Sequence, residues 1–169
     1  MKFEDNNIRK LCRMVRGNEE AKRLYEEFSG KAYKAIMERV EDFDDIREEL
    51  GAEHPLCECL KSGADMPIMA AFAIAEALNE GWEPTDAKYY VMYRPITDED
   101  YNNMNEKQQE ECVISGNKIF KVEAYLDWGY YEETSPIMPI PISTAFYSSE
   151  LARFAGKKFS DIYLAIYKK

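Results

Sequence analysis

The sequence predicts an α+β fold: a helical N-terminal half, then a small antiparallel β-β-β sheet and a C-terminal helix. Three observations lead there. Up to Gly81, apolar residues recur at the spacing of amphipathic helices. After Trp82 the period drops to two, and tyrosines and β-branched residues take over. From Ser148 a helical stripe returns. The 169 residues, 46% of them apolar, suffice for one domain with its own core. Residues 1–81 form its mainly helical part and 82–169 its β-β-β-α part, within a single domain 1–169.

The first predicted helix carries Ile8, Leu11, Cys12 and Val15 and stops at Gly17. Asn18 caps a second, with Ala21, Leu24, Tyr25 and Phe28 on one face and Gly30 as breaker. Ala32, Tyr33, Ile36 and Val40 predict a third helix; Phe43, Ile46 and Leu50 predict a fourth that ends at Gly51. Pro55 opens a small helix with Leu56, Cys57 and Leu60 on its apolar side. The stretch DMPIMAAFAIAEALNEG is the clearest helix. Asp65 is placed to cap it, Pro67 sits where its missing N–H is harmless, and Gly81 offers a left-handed stop. This segment is apolar nearly all round, so it belongs in the centre of the molecule.

Three strands are predicted next. AKYYVMYR is aromatic and β-branched. KIFKVEAYLDW alternates, with Phe120, Val122, Ala124, Leu126 and Trp128 on one face and Lys121, Glu123 and Asp127 on the other. IMPIPISTAFY is the third, with Ile140, Ile142, Thr144 and Phe146 inward, and Pro139 and Pro141 place it at the sheet border. Between the first two, TDEDYNNMNEKQQEEC has Thr97 as a cap for a short helix. The closing helix starts at Ser148 or Ser149 and runs through Leu151, Phe154, Ala155, Phe159, Ile162, Tyr163 and Ile166, with Gly156 allowing close packing.

Net charge is −10, and residues 41–112 carry 19 acidic against 5 basic side chains. Such an acidic middle argues against duplex nucleic acid as a partner, because phosphate neutralisation needs Lys and Arg. It fits a solvated face, a basic partner or nucleic-acid mimicry. No apolar run is long enough to span a bilayer. MKFEDNNIRK places acids early and has no apolar core, so no secretory signal is expected and a cytoplasmic protein is. Four scattered cysteines, Cys12, Cys57, Cys59 and Cys112, read as reduced thiols rather than a disulfide framework.

Catalytic groups are scarce. His54 is the one histidine, and no nucleophile elbow, phosphate loop or dinucleotide fingerprint occurs. In HPLCEC, His54, Cys57 and Cys59 are possible zinc donors, yet the spacing fits small hydrophobes of a short helix as well, and no metal or other cofactor is expected. Asp42, Asp45 and Glu49 share a helical face without the spacing of a calcium loop, which suits a surface helix. An enzyme is therefore not expected.

Aromatic residues carry the least ordinary signal. Eight of the 12 tyrosines lie between Tyr89 and Tyr147, beside Trp128. They suit the core or rim of a sheet, a protein interface, or a stacking site for a small ligand or base. The candidate binding residues are Tyr89, Tyr93, Arg94, Lys121, Tyr125, Trp128, Tyr130 and Tyr131.

RVEDFDDIREELGAEHPL, AIAEALNEGWEPT, AKYYVMYRPITDEDYNNMNEKQQEE and FYSSELARFAGKKFSDIYLAIY resemble, in that order, small uncharacterised α+β proteins of Bacteroidales and their phages, including crAss-like phages. The W-E-P corner and the E-L-A-x-x-A-G-K-x-F ending are the most distinctive pieces. Members commonly have an R-L-x-F-K strand before the final helix, where this chain has ISTAFY after two prolines. The resemblance carries no catalytic residue. It implies a phage-type protein in a bacterial cytoplasm or a virion, acting by binding another protein of the virion or host. The alternative is a protein that sequesters a nucleotide signal among tyrosines, with Arg94 or Lys121 facing phosphate.

Overall fold

In the computed structural model, which describes residues 18–30, 32–51, 53–57, 66–80, 88–127 and 144–167, helix α1 spans Glu19–Ser29. Asn18 caps it as predicted: its side-chain oxygen accepts the N–H groups of Glu20 and Ala21 at 3.1 and 3.2 Å. Gly30, at φ 66°, ends it in the left-handed region. The helix predicted over Ile8–Val15 lies outside the described residues.

The third predicted helix is shorter than its apolar spacing suggests. Helix α2 is Ile36–Arg39 alone, preceded by extended backbone at Ala35 with no side-chain cap. Tyr33 N–H goes instead to the Glu26 carboxylate at 3.0 Å. Helix α3, Phe43–Leu50, forms as predicted, with Asp42 and Asp45 in a reciprocal capping box and Gly51 at its end. Its Ile46 is fully buried. The small helix predicted after Pro55 is described only as far as Cys57, which is buried.

Helix α4, Pro67–Leu78, is the central one. Ala70, Ala71, Ala73, Ile74, Ala75, Ala77 and Leu78 are all buried. Their small side chains let neighbouring elements close in on several sides of one helix. Two boundary details differ from the sequence prediction. The residue before the helix is Met66, without a side-chain cap, and Asp65 lies outside the described residues. The left-handed residue after it is Glu80 (φ 50°), one position before Gly81. Glu80 holds that conformation while its carboxylate takes the Arg39 guanidinium at 2.7 Å.

The sheet contains β1 (Lys88–Ile96), β2 (Cys112–Ser115) and β3 (Lys118–Asp127), antiparallel and in the order β1-β3-β2. Between β1 and β2 lie α5 (Asp98–Asn102) and α6 (Glu106–Gln109), each opened by a capping box, at Thr97 with Asp100 and at Asn105 with Gln108. The third strand differs from the prediction. It is Cys112–Ser115, of which the sequence assigns only Cys112, to the end of the segment that begins at Thr97. Gly116 (φ 63°) and Asn117 join it to β3 by a two-residue turn with glycine first, which fixes the hairpin register. Of the predicted strand ending at Tyr147, residues 137–143 lie outside the described residues. Phe146 forms a single antiparallel bridge with Tyr89, through hydrogen bonds of 2.8 and 2.9 Å, on the outer edge of β1.

The closing helix is two helices. Ser148 caps α7 (Ser149–Lys158); Phe159 (φ −118°, ψ 37°) breaks it, and α8 (Ser160–Tyr167) follows. Phe159 is buried against the Phe43 ring, centroids 4.9 Å apart, so the break seats an aromatic side chain in the core. Helix α7 covers one face of the sheet, while α8 and α3 pack on α4.

Two contacts join these layers and yield two predictions. At Gly156 a Cβ would stand 2.7 Å from Cγ1 of both Val91 and Val122, which are buried and stiff at χ1. Gly156→Ala gains about 1 kcal/mol of helix propensity but overpacks a site costing roughly 1–3 kcal/mol. With two valine methyls in the way the net effect is loss, read as a lower urea midpoint at unchanged m. Asn79 donates its side-chain N–H to Ala145 C=O at 2.7 Å and accepts Tyr147 N–H at 3.2 Å. Asn79→Ala removes both bonds, leaves the buried Ala145 C=O unsatisfied and lowers unfolding free energy by about 1–3 kcal/mol; calorimetry or denaturant titration checks it.

Candidate protein-binding surface

Cross-strand register divides the side chains between two faces. Tyr89 with Leu126, Val91 with Ala124, Tyr93 with Val122, and Pro95 with Phe120 point to one side. That side lies under α7: the Tyr93 hydroxyl donates to Gly156 C=O at 2.6 Å, and its ring meets Phe120 edge-on at 6.2 Å. Tyr89 and Tyr93 both pack against the main core.

The opposite face carries Tyr90 with Tyr125, Met92 with Glu123, Arg94 with Lys121, and Ile96 with Ile119. From β2, Cys112 opposite Lys121 and Ile114 opposite Ile119 extend it. Of the eight candidate residues, the structure thus brings Arg94, Lys121 and Tyr125 together here and puts Tyr89 and Tyr93 on the other side. Trp128, Tyr130 and Tyr131 lie outside the described residues.

Charges occupy the middle of this open face. Glu123 Oε1 accepts from Arg94 Nε and Nη2 at 3.2 and 3.0 Å, and Lys121 Nζ lies 3.9 Å from it and 3.8 Å from Glu111 Oε2. Two cations and two carboxylates make a locally neutral set. As partly exposed pairs they add at most about 1 kcal/mol each to stability. Apolar groups flank them. Ile114 is 66% exposed and Tyr125 42%, with Met92, Ile96 and Ile119 half-buried. Tyr90 is buried and packs with Ala145.

A shallow hollow of about 270 Å³ lies at the edge of β3, lined by Met92, Glu111, Lys121, Val122, Glu123, Ala124 and Arg153. A phosphate entering it would meet the carboxylates Glu111 and Glu123 as well as the cations Lys121 and Arg153.

The other candidate groups are placed elsewhere. His54 Nδ1 accepts Leu56 N–H at 3.3 Å, which leaves Nε2 to carry the proton and donate to Glu76 Oε1 at 3.0 Å. Cys57 Sγ donates to Gly51 C=O at 3.2 Å, and Cys59 and Cys12 lie outside the described residues. Among the described residues, no three His, Cys, Asp or Glu side chains gather as metal ligands would. Asp42 and Asp45 cap α3, and Glu49 pairs with Arg39.

Sequence reasoning misses Ile114, Cys112, Ile119 and Met92 as surface residues. The signal was present: Gly116-Asn117 between CVIS and KIF is a hairpin turn pattern. Compared with protein-family models, with curated proteins and with solved structures, the chain matches none. Among the described residues no helix is long and apolar enough to cross a membrane.

Cys112 reports on this face. Burial pushes its thiol pKa up, and Lys121 across the strands opposes this only partly. The thiolate is the reactive form, so at pH 8 iodoacetamide should modify Cys112 more slowly than an unstructured peptide thiol, with the gap narrowing as pH rises. Peptide mapping by mass spectrometry after timed alkylation checks it.

Proposed function

We propose that the protein acts without catalysis, by binding another protein through the open face of its sheet. The observation that carries this reading is the exposure of Ile114 and Tyr125 on strands whose backbone is fixed by cross-strand pairing. Such side chains lose little conformational freedom when covered, and an aromatic anchor beside an aliphatic one is a common centre of binding energy. Around them, Arg94, Lys121, Glu111 and Glu123 supply positioned donors and acceptors for a polar rim. The partner's matching surface carries an apolar patch with carboxylates and cations at its border. Acidic residues of the neighbouring α5 and α6 segment, Asp98, Glu99, Asp100, Glu106 and Glu110, favour a partner with a basic periphery and speed their encounter.

The resemblance to Bacteroidales phage proteins supports a setting for this binding: a virion component or an accessory modulator of a host system, in the bacterial cytoplasm or the particle.

The test is pull-down from infected cells and from purified virions, followed by titration of the recovered partner. Tyr125→Ala and Ile114→Lys are expected to weaken that complex by about 2 kcal/mol each, with the circular dichroism spectrum unchanged. Exposed Glu20→Ala on α1 is expected to leave it intact. Equal affinity in all four proteins would remove the open face from the interaction. A nucleotide that raises the melting temperature, with no protein captured, would favour the sequestering alternative.

A further inference from the structure

The two long strands leave part of one edge without a neighbour. Val122 N–H donates to Glu111 C=O at 2.9 Å, continuing the β2–β3 ladder one step past Cys112. Strand hydrogen bonding alternates sides, so Lys118, Phe120 and Val122 direct their backbone groups toward β2, and Ala124 and Leu126 must point the same way. The chain before Glu111 is already turned into α6. Beside Ala124 and Leu126, among the described residues, no backbone partner takes those N–H and C=O groups.

The hollow described above lies against this edge, between Glu111 and Ala124, and reaches Arg153 on α7. Arg153 Nη2 donates to Ser149 Oγ at 3.2 Å, one turn back on its own helix, and the Glu150 carboxylate acts on it through space, so its guanidinium keeps donors for a further partner. An open strand edge with a cation beside it is the geometry that accepts an added strand.

We infer that the Ala124–Leu126 edge takes an extended strand of a partner protein, antiparallel to β3 and collinear with β2, with an acidic residue opposite Ala124. That residue points to the helix side, as Ala124 does, and there meets Arg153. Its sequence neighbours point to the open face, where an apolar side chain covers Tyr125. This rests on the reading that the chain binds protein, and it specifies the main-chain part of that contact.

The experiment uses the full chain and a synthetic acetylated peptide alternating threonine and valine around one central glutamate. Free protein should exchange the Ala124 and Leu126 amides quickly, while Glu123 and Tyr125, bonded to β1, exchange slowly. Peptide at saturation should slow the first pair by about tenfold or more. Arg153→Glu, at an exposed position, should weaken the glutamate peptide by about tenfold and favour a lysine peptide instead. Ala124→Pro, which removes the edge donor, should abolish both. Amides of Ala124 and Leu126 already protected in the free protein, or unchanged by peptide, would overturn the inference; so would equal affinity in Arg153→Glu. Loss of partner capture in Tyr125→Ala with no peptide protection would sink the edge and leave the open-face reading standing. The reverse pattern would do the opposite.

Discussion

A single buried carboxamide joins the helical half of the chain to the β half. Asn79 follows the last turn of α4 and both ends of its amide are engaged, the donor by Ala145 C=O and the acceptor by Tyr147 N–H. Neither partner is near in sequence. Together they hold residues 145–147 extended beside β1, where Phe146 bridges Tyr89. Ser148 then begins α7 with its cap in place. The Asn79 amide and the Phe146–Tyr89 bridge together set the point from which α7 runs across the sheet. An amide buried with both bonds satisfied also specifies position in a way apolar packing does not, because any shift leaves a polar group unpaired.

From the position of α7 the division of the sheet follows. Gly156 lets the helix backbone approach Val91 and Val122, and the Tyr93 hydroxyl ties down the Gly156 carbonyl. One face is thereby committed to the core. The strand period of two sends Tyr125, Met92, Glu123, Lys121 and Arg94 to the other. The open face proposed for binding is thus a consequence of which face α7 covers, and the same covering brings Arg153 to the edge of β3.

Much of this was legible in the sequence, and the reasons are local. Asn18, Thr97 and Ser148 each act at short range on the backbone that follows them, so these caps were readable; Asp42, read as part of a helix face, instead caps α3. The alternation in KIFKVEAYLDW gave β3 and the side of each residue. What was not legible depends on distant contacts. The seat that Phe43, more than a hundred residues earlier, gives the Phe159 ring is not announced by any pattern near Phe159. Whether Tyr89 and Tyr93 face outward turns on where α7 lands, and that turns on Asn79. The CVIS strand was missed because four residues carry too little periodicity, and acidic helical sequence precedes them. The W-E-P corner lies outside the described residues.

Charge is used in two distinct ways across the molecule. In the helical half, the Arg39 guanidinium reaches Glu49 with two nitrogens at 2.9 and 3.1 Å, Glu80 at 2.7 Å and Lys34 C=O at 2.6 Å. Burial alone would lower its pKa, and the bonds and charges of Glu49 and Glu80 outweigh that, so it stays charged. This cluster joins α2, α3 and the end of α4, and it holds Glu80 in its left-handed turn. Removing one member would leave a desolvated charge, which is why such a cluster persists as structure. Its donors and acceptors face one another. On the open face of the sheet the Arg94, Glu123, Lys121 and Glu111 set is partly exposed, and there each pair adds little to stability; under the proposed function its members would exchange partners with groups on another protein. The same side-chain types therefore lock the fold in one place and remain available for recognition in the other, and the difference is set by burial.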